Sequence, residues 1–183
     1  MKKNQINIPT RFTIVRILLS VVFMVFVLVP ETWAKIVALV LFILASITDA
    51  IDGAWARKQN ITTDLGKFLD PLADKMLVDL AFLALVYLNI VPVWVFAMIL
   101  VRDLTVDGIK MMAARKNITI AASFYGKLKT AVQMPALIIL LLNLIVNVNF
   151  FSVLGNIALY ISLALTVFSG IDYLVKNWKK IIK

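Results

Sequence analysis

The chain has 183 residues, 62% of them hydrophobic, with a mean hydropathy of +0.97 and a formal net charge of +9. No soluble core of that length hides so much apolar surface, so the composition excludes an ordinary soluble protein and points to one membrane domain over residues 1–183. Cysteine and histidine are both absent, which excludes disulfides, thiolate metal sites and imidazole chemistry. The positive charge reads as loops on an anionic membrane surface and not as a nucleic-acid interface.

In chain order, Asn4 to Pro9 is short and polar, with Asn7 suited to cap a helix that holds Pro9 in its first turn. This segment is expected to form a short interfacial helix. No small-residue cleavage site follows the first apolar run, which is therefore read as a retained helix. Six apolar stretches follow: Phe12–Pro30, Ala34–Ala56, Leu65–Asn89, Val91–Ala114, Leu128–Asn147 and Phe151–Leu174. Each is near the ~20 residues needed to span a bilayer. Backbone polar groups must pair internally in lipid, so all six are predicted to be helices of an all-α integral membrane fold. The tail Asp172–Lys183 mixes Tyr173, Trp178 and lysines, and suits a membrane surface.

Loop charge sets the predicted orientation. Lys2, Lys3, Lys58, Lys67, Arg115, Lys116, Lys127, Lys129, Lys176, Lys179, Lys180 and Lys183 fall on one side, whereas the opposite loops hold little beyond Glu31 and Lys35. A multi-pass protein of the cell membrane is expected, with both termini and the 57–67 and 115–127 loops in the cytoplasm. Trp33 and Trp94 then mark the outer interface, and Trp55 and Trp178 the inner one. The glycosylation-like triplets at Asn60 and Asn117 lie in predicted cytoplasmic loops and are discounted.

Charge inside the spans is more informative. Of ten acidic residues, Asp49, Asp52, Asp70 and Asp74 crowd the cytoplasmic ends of the second and third spans. Carboxylates there are costly and usually functional. Asp49, Asp52, Gly53 and Ala56 share one helical face, and Gly66, Asp70 and Asp74 share another. A short connection makes the two helices antiparallel neighbours, so the acidic faces can converge. Four carboxylates would repel, with only Arg57 and Lys75 to offset them. Divalent cations with all-oxygen ligation, Mg²⁺ or Mn²⁺, solve that problem. Gly53, Ala56 and Gly66 leave room beside them for something flat or bulky. The plainer account, snorkelling or capping acids, fits Asp64 at the start of the third span better than it fits these four. A cation transporter is the alternative from another class, but it predicts acids near the midplane and interrupted spans in both halves.

The acids belong to a longer pattern: Asp49-Ala-Ile-Asp52-Gly53-Ala-Trp-Ala56-Arg57, eight residues, then Gly66-Lys-Phe-Leu-Asp70-Pro-Leu-Ala-Asp74. It resembles the signature of the CDP-alcohol phosphotransferase family, D-x-x-D-G-x-x-A-R-x8-G-x-x-x-D-x-x-x-D, at every fixed position. The resemblance implies a six-span fold, a homodimer, and attack of an acceptor hydroxyl on the β-phosphorus of a CDP-linked lipid such as CDP-diacylglycerol, with CMP leaving. It implies that Asp49, Asp52, Asp70 and Asp74 hold two metal ions and that Asp74 is the catalytic base. Metal polarisation of the hydroxyl is a second route to the same activation, because an Asp beside a cation is a weak base. Asp49, Asp52, Gly53, Ala56, Arg57, Thr62 and Gly66 take the CDP-diacylglycerol side: small residues against the nucleotide, Arg57 near the phosphates, and Thr62 as a hydrogen-bonding partner. Pro71 removes an N–H from the helix beside Asp70, which either orients that acid or merely kinks the chain.

The acceptor is read from other residues. Asn7-Ile8-Pro9-Thr10 with Arg16, Arg102-Asp103, and Ser123-Phe-Tyr-Gly126-Lys127-Leu-Lys129-Thr130 resemble the branch of the family that uses glycerol 3-phosphate. Asp103 departs from the Glu expected beside that Arg. Thr10, Arg16, Arg102, Lys127 and Lys129 are thus the expected acceptor residues, and converging cations suit a phosphate. Inositol phosphate, serine or phosphatidylglycerol are the alternative acceptors. The plainer accounts are positive-inside charge for Lys127 and Lys129, and structural pairing of Arg102 with Asp103, Asp107 or Asp79. Gln133 and Asn143 are expected to bond between helices.

Overall fold

A computed structural model describes residues 8–59, 64–115 and 124–182, and every regular element among them is helical. The order is α1 (Ile8–Leu28), α2 (Thr32–Gln59), α3 (Asp64–Tyr87), α4 (Val93–Arg115), α5 (Phe124–Val146) and α6 (Asn149–Ile182). The six predicted spans correspond to these helices one for one. Most of the segment expected as an interfacial helix lies outside the described residues; Ile8–Thr10 are already the first turn of α1. The 60–63 and 116–123 connections, with Thr62 and the Asn60 and Asn117 triplets, also lie outside them.

The chain divides into two compact units, one built on α1–α3 and the other on α4, most of α5, and α6. In the first, α1 packs along both α2 and α3. Its buried positions Thr13, Arg16, Ser20, Phe23 and Val27 recur every three or four residues, the period of one helical stripe. Ala34, Ala38, Phe42 and Ala45 form the matching stripe of α2, where the alanines let backbones approach, and Phe23 meets Phe42 with ring centroids 5.6 Å apart. In the second unit α4 packs on α6. The buried stripe of α4 runs Val95, Ile99, Val106, Ile109, Ala113, and Arg102 stands at the helical position between Ile99 and Val106.

The distribution of polarity differs from a soluble protein's in its apolar exterior and in the polar groups set among a mostly apolar core. Leu18 and Val25 of α1 are 60% and 61% exposed, and Ile36, Val40, Leu44 and Ile47 leave a half-exposed apolar stripe on α2. Polar side chains are instead inside: Thr13, Arg16, Ser20, Lys129, Gln133, Ser162, Thr166 and Ser169 are all buried. An apolar exterior around a polar-dotted interior is what lipid as solvent selects. Phe124–Val146 and Asn149–Lys176 are each long and apolar enough to cross a membrane, while the apolar parts of α1 and α2, Thr13–Leu28 and Thr32–Thr48, are shorter. In α3 and α4, ionisable residues are interleaved with the apolar ones.

Two tight corners are built on asparagine. Asn89 and Asn147 have φ of 58° and 48°, the left-handed conformation that asparagine tolerates after a helix end. Asn143 was expected to bond between helices; its Oδ1 instead accepts from the Val148 N–H at 3.2 Å, closing the α5–α6 corner. Past that corner the helices approach closely. A Cβ on Gly155 would lie 2.6 Å from Leu140 Cδ2 and 2.9 Å from its Cγ. Gly155→Leu is therefore expected to wedge α5 from α6 and lower the thermal midpoint of the purified protein by several degrees. The tail expected to form a surface segment continues α6 instead. At 34 residues the helix is about 51 Å long, more than the ~30 Å hydrocarbon core. Lys176 pairs with Asp172 one turn earlier at 2.7 Å, in the extension.

Candidate active site

The signature residues occupy the facing ends of two consecutive helices. Asp49, Asp52, Gly53, Ala56 and Arg57 lie in the last three turns of α2, and Gly66, Asp70 and Asp74 in the first three of α3. The structure extends both helices beyond the predicted limits, so only residues 60–63 join them. So short a connection reverses the chain between them, and among the described residues each of the two helices packs mainly on α1 and touches the other only slightly. Asp49 is ten residues before the end of α2 and Asp74 ten after the start of α3, about 15 Å along each axis; Asp52 and Asp70 are likewise nearly level, at about 10 Å. Which way these carboxylates face lies outside the described residues, as do the side chains of Thr10, Gly53, Ala56, Arg57 and Gly66. Thr10 is placed in the first turn of α1.

The expected acceptor cations are distributed between the units. Arg16, in the first, is buried at 5% exposure in the inner stripe of α1, and its carbonyl accepts from Ser20 Oγ at 2.8 Å. In the second unit, Arg102 and Lys129 are brought together by one carboxylate. Lys129 Nζ donates to both oxygens of Asp103 at 2.6 Å, and Arg102 Nη1 donates to Asp103 Oδ1 at 2.9 Å. All three side chains are well shielded, at 5% exposure for Lys129 and 15% for each of the others. Of the three structural partners weighed for Arg102, Asp103 is the one that pairs with it. Lys127, two residues from Lys129 along α5, points elsewhere and is exposed.

The Arg102–Asp103–Lys129 cluster holds charge in a shielded setting that solvates it poorly. Taking ions out of water costs several kcal/mol each, so such a cluster persists only with short, geometrically sound hydrogen bonds. Asp103 supplies them to both cations, and a shielded pair of cations is a setting that attracts an anion.

Two further polar groups lie beside the cluster, of which Ser169 had no assigned role from sequence. The Ser169 hydroxyl of α6 accepts from Arg102 Nη2 at 2.8 Å. Gln133 follows Lys129 by one turn in the same buried stripe of α5 and is 3% exposed. It was expected to bond between helices, yet among the described residues its Nε2 has no hydrogen-bond partner; nor has Arg102 Nε. A hydroxyl in an apolar run is ordinary membrane packing. The available signal for Ser169 was its register: Ser162, Thr166, Ser169 and Tyr173 recur every three or four residues on the face that buries against α4.

A helix pair bearing four carboxylates and a separate pairing of buried cations defines a class: a membrane protein equipped to handle phosphates. The family profile described as CDP-alcohol phosphatidyltransferase matches residues 6–168. The chain belongs to the CDP-alcohol phosphatidyltransferase family, and it is a phosphatidyltransferase enzyme. Similar proteins include the CDP-diacylglycerol–glycerol-3-phosphate 3-phosphatidyltransferase of Bacillus subtilis (strain 168), 38% identical over 94% of this chain and 96% of that one. Proteins of the same name from Rickettsia typhi, 36% identical over 91% and 94%, and Yersinia enterocolitica, 35% identical over 98% and 99%, are also similar.

Proposed function

We propose that the enzyme transfers the phosphatidyl group of CDP-diacylglycerol to glycerol 3-phosphate, giving phosphatidylglycerophosphate and CMP. The near full-length similarity to relatives named for this reaction carries the reading. The Arg102–Asp103–Lys129 cluster supports it independently, because two shielded cations suit a phosphorylated acceptor better than a neutral one.

Within this reading Asp49, Asp52, Asp70 and Asp74 hold two Mg²⁺ or Mn²⁺ ions, and the fit rests on an all-oxygen donor set at matched heights on α2 and α3. When bound, such ions neutralise the pyrophosphate and stabilise the departing CMP. Gly53, Ala56 and Gly66 leave space for the nucleotide, with Arg57 at the phosphates and Thr62 as a hydrogen-bonding partner. Arg102 and Lys129 bind the acceptor phosphate, while Thr10, Arg16 and Lys127 are assigned to the same substrate from sequence alone. Asp74 takes the proton of the acceptor's primary hydroxyl as its oxygen bonds to the β-phosphorus and the bond to the CMP oxygen breaks. The enzyme works as a homodimer in the cell membrane, with both termini and the acids on the cytoplasmic side, as the distribution of lysine and arginine among the loops favours.

The test is an acceptor panel. Purified protein receives CDP-diacylglycerol, Mg²⁺ or Mn²⁺, and in turn glycerol 3-phosphate, inositol phosphate, serine or phosphatidylglycerol. CMP release with glycerol 3-phosphate alone, abolished by EDTA and restored by the metal, is expected. Product only with inositol phosphate would overturn the acceptor assignment.

A further inference from the structure

The position of Arg102 is set from α6. Its side chain lies on the inner stripe of α4, and three contacts define its course. Nη1 donates to Asp103 at 2.9 Å and Nη2 donates to Ser169 Oγ at 2.8 Å. Between those ends and the backbone, the methylenes cross Gly170: a Cβ there would lie 2.9 Å from Arg102 Cγ, 3.7 Å from Nε and 3.9 Å from Cδ.

Each α6 contact has a local cause. Ser169 Oγ donates its own proton to the Thr166 carbonyl at 3.0 Å, within its helix. What it presents to α4 is therefore an oxygen lone pair, which a guanidinium can only meet as donor. Ser169 is fully buried, so this acceptor does not exchange partners with bulk water. Gly170 is buried beside it, and its missing side chain is the channel through which the arginine stem passes. The clash a Cβ would create is at Cγ, near the root of the side chain and not at its flexible end. Any larger residue at 170 thus forces the arginine stem to shift. One turn on, Tyr173 packs with Val106 and Ile109 of α4, anchoring the same pair of helix faces.

We infer that the Ser169–Gly170 step of α6 is a positioning element for Arg102, and through it sets how tightly and how selectively the enzyme binds its anionic acceptor. This inference rests on the reading of Arg102 as an acceptor-phosphate ligand. Ser169 fixes the plane of the guanidinium, and Gly170 fixes the path of its stem. A guanidinium held at two points offers its remaining N–H groups in a defined plane, which is what bidentate recognition of phosphate requires.

Gly170→Ala and Ser169→Ala test it, with acceptor and CDP-diacylglycerol saturation curves and thermal midpoints measured for each. The expected result for both is a rise of about tenfold or more in KM for glycerol 3-phosphate, as for loss of a hydrogen bond to a charged group. KM for CDP-diacylglycerol should stay within about twofold, because Arg102 is assigned to the other substrate. Alanine is the better helix former, so the Gly170→Ala protein should hold its thermal midpoint if Arg102 moves aside. In an Arg102→Gln background, already impaired in kcat/KM, Gly170→Ala should lower it by less than about a further twofold, since both act through one side chain. A uniform fall in kcat with both KM values unchanged, or full additivity with Arg102→Gln, would overturn the inference. Failure of the wild-type protein to use glycerol 3-phosphate, with turnover of another acceptor, would instead overturn the acceptor assignment before any variant is compared.

Discussion

Asp74→Asn is expected to lower phosphatidyl transfer by at least about a thousandfold while leaving the protein folded. Removing a general base alone accounts for about 10²–10⁴-fold, and here the same side chain is also assigned to the metal pair. Asn keeps the shape of Asp, so α3 has no steric reason to change through this position. Four carboxylates gathered at the ends of α2 and α3 repel one another when no cation is bound, and removing one relieves that repulsion. The metal-free variant should therefore match or exceed the wild-type thermal midpoint, the pattern of a site that trades stability for function. Asp70→Asn should behave alike, because it breaks the same donor set. CMP release from CDP-diacylglycerol and glycerol 3-phosphate, read beside a melting curve, separates the possibilities. Turnover within about tenfold of wild type in either variant would remove both the base and the metal assignments.

The acids were legible in sequence because their information is local. An i, i+3 spacing of Asp49 and Asp52, and i, i+4 of Asp70 and Asp74, is meaningful on any helix. The helices were legible because apolar runs in lipid must be helical, and Pro30, Asn89 and Asn147 punctuate them. Their ends were less so. Hydropathy marks where lipid stops, whereas a helix stops where its hydrogen bonds do, and α6 continues past Asp172 because leucine and the lysines that follow propagate a helix well. The cation cluster was the least legible part. Adjacent residues on a helix do not normally face each other, so the Arg102–Asp103 pair stood in the sequence only as one of three structural alternatives. Lys129 was expected to converge with Arg102, but its bonds to Asp103, and the contact of Ser169 on α6, join residues distant in sequence and are visible only once the helices pack.

That cluster yields the second large effect. Asp103→Asn should strip two shielded cations of their shared counter-ion, and breaking a buried pair in this way costs about 3–5 kcal/mol. The variant is expected to be recovered in poor yield with a clearly lowered thermal midpoint. Lys129→Met should be far milder for folding, since Asp103 then keeps Arg102 and the remaining pair is balanced. Its kcat/KM for glycerol 3-phosphate should nevertheless fall roughly a hundredfold, for loss of a charged contact in a shielded site. The double variant distinguishes the two roles. Removing Asp103 and Lys129 together restores the wild-type net charge of the cluster, so stability should recover well beyond the sum of the single effects, while acceptor use should not recover at all. If the double variant regained kcat/KM, Lys129 would be only the counter-ion of Asp103. If stability did not recover, the short contacts at Asp103 would not be what keeps the cations inside. Both expectations follow from one arrangement: Asp103 holds two shielded cations in place, and Lys129 is assigned to the acceptor phosphate as well as to that carboxylate.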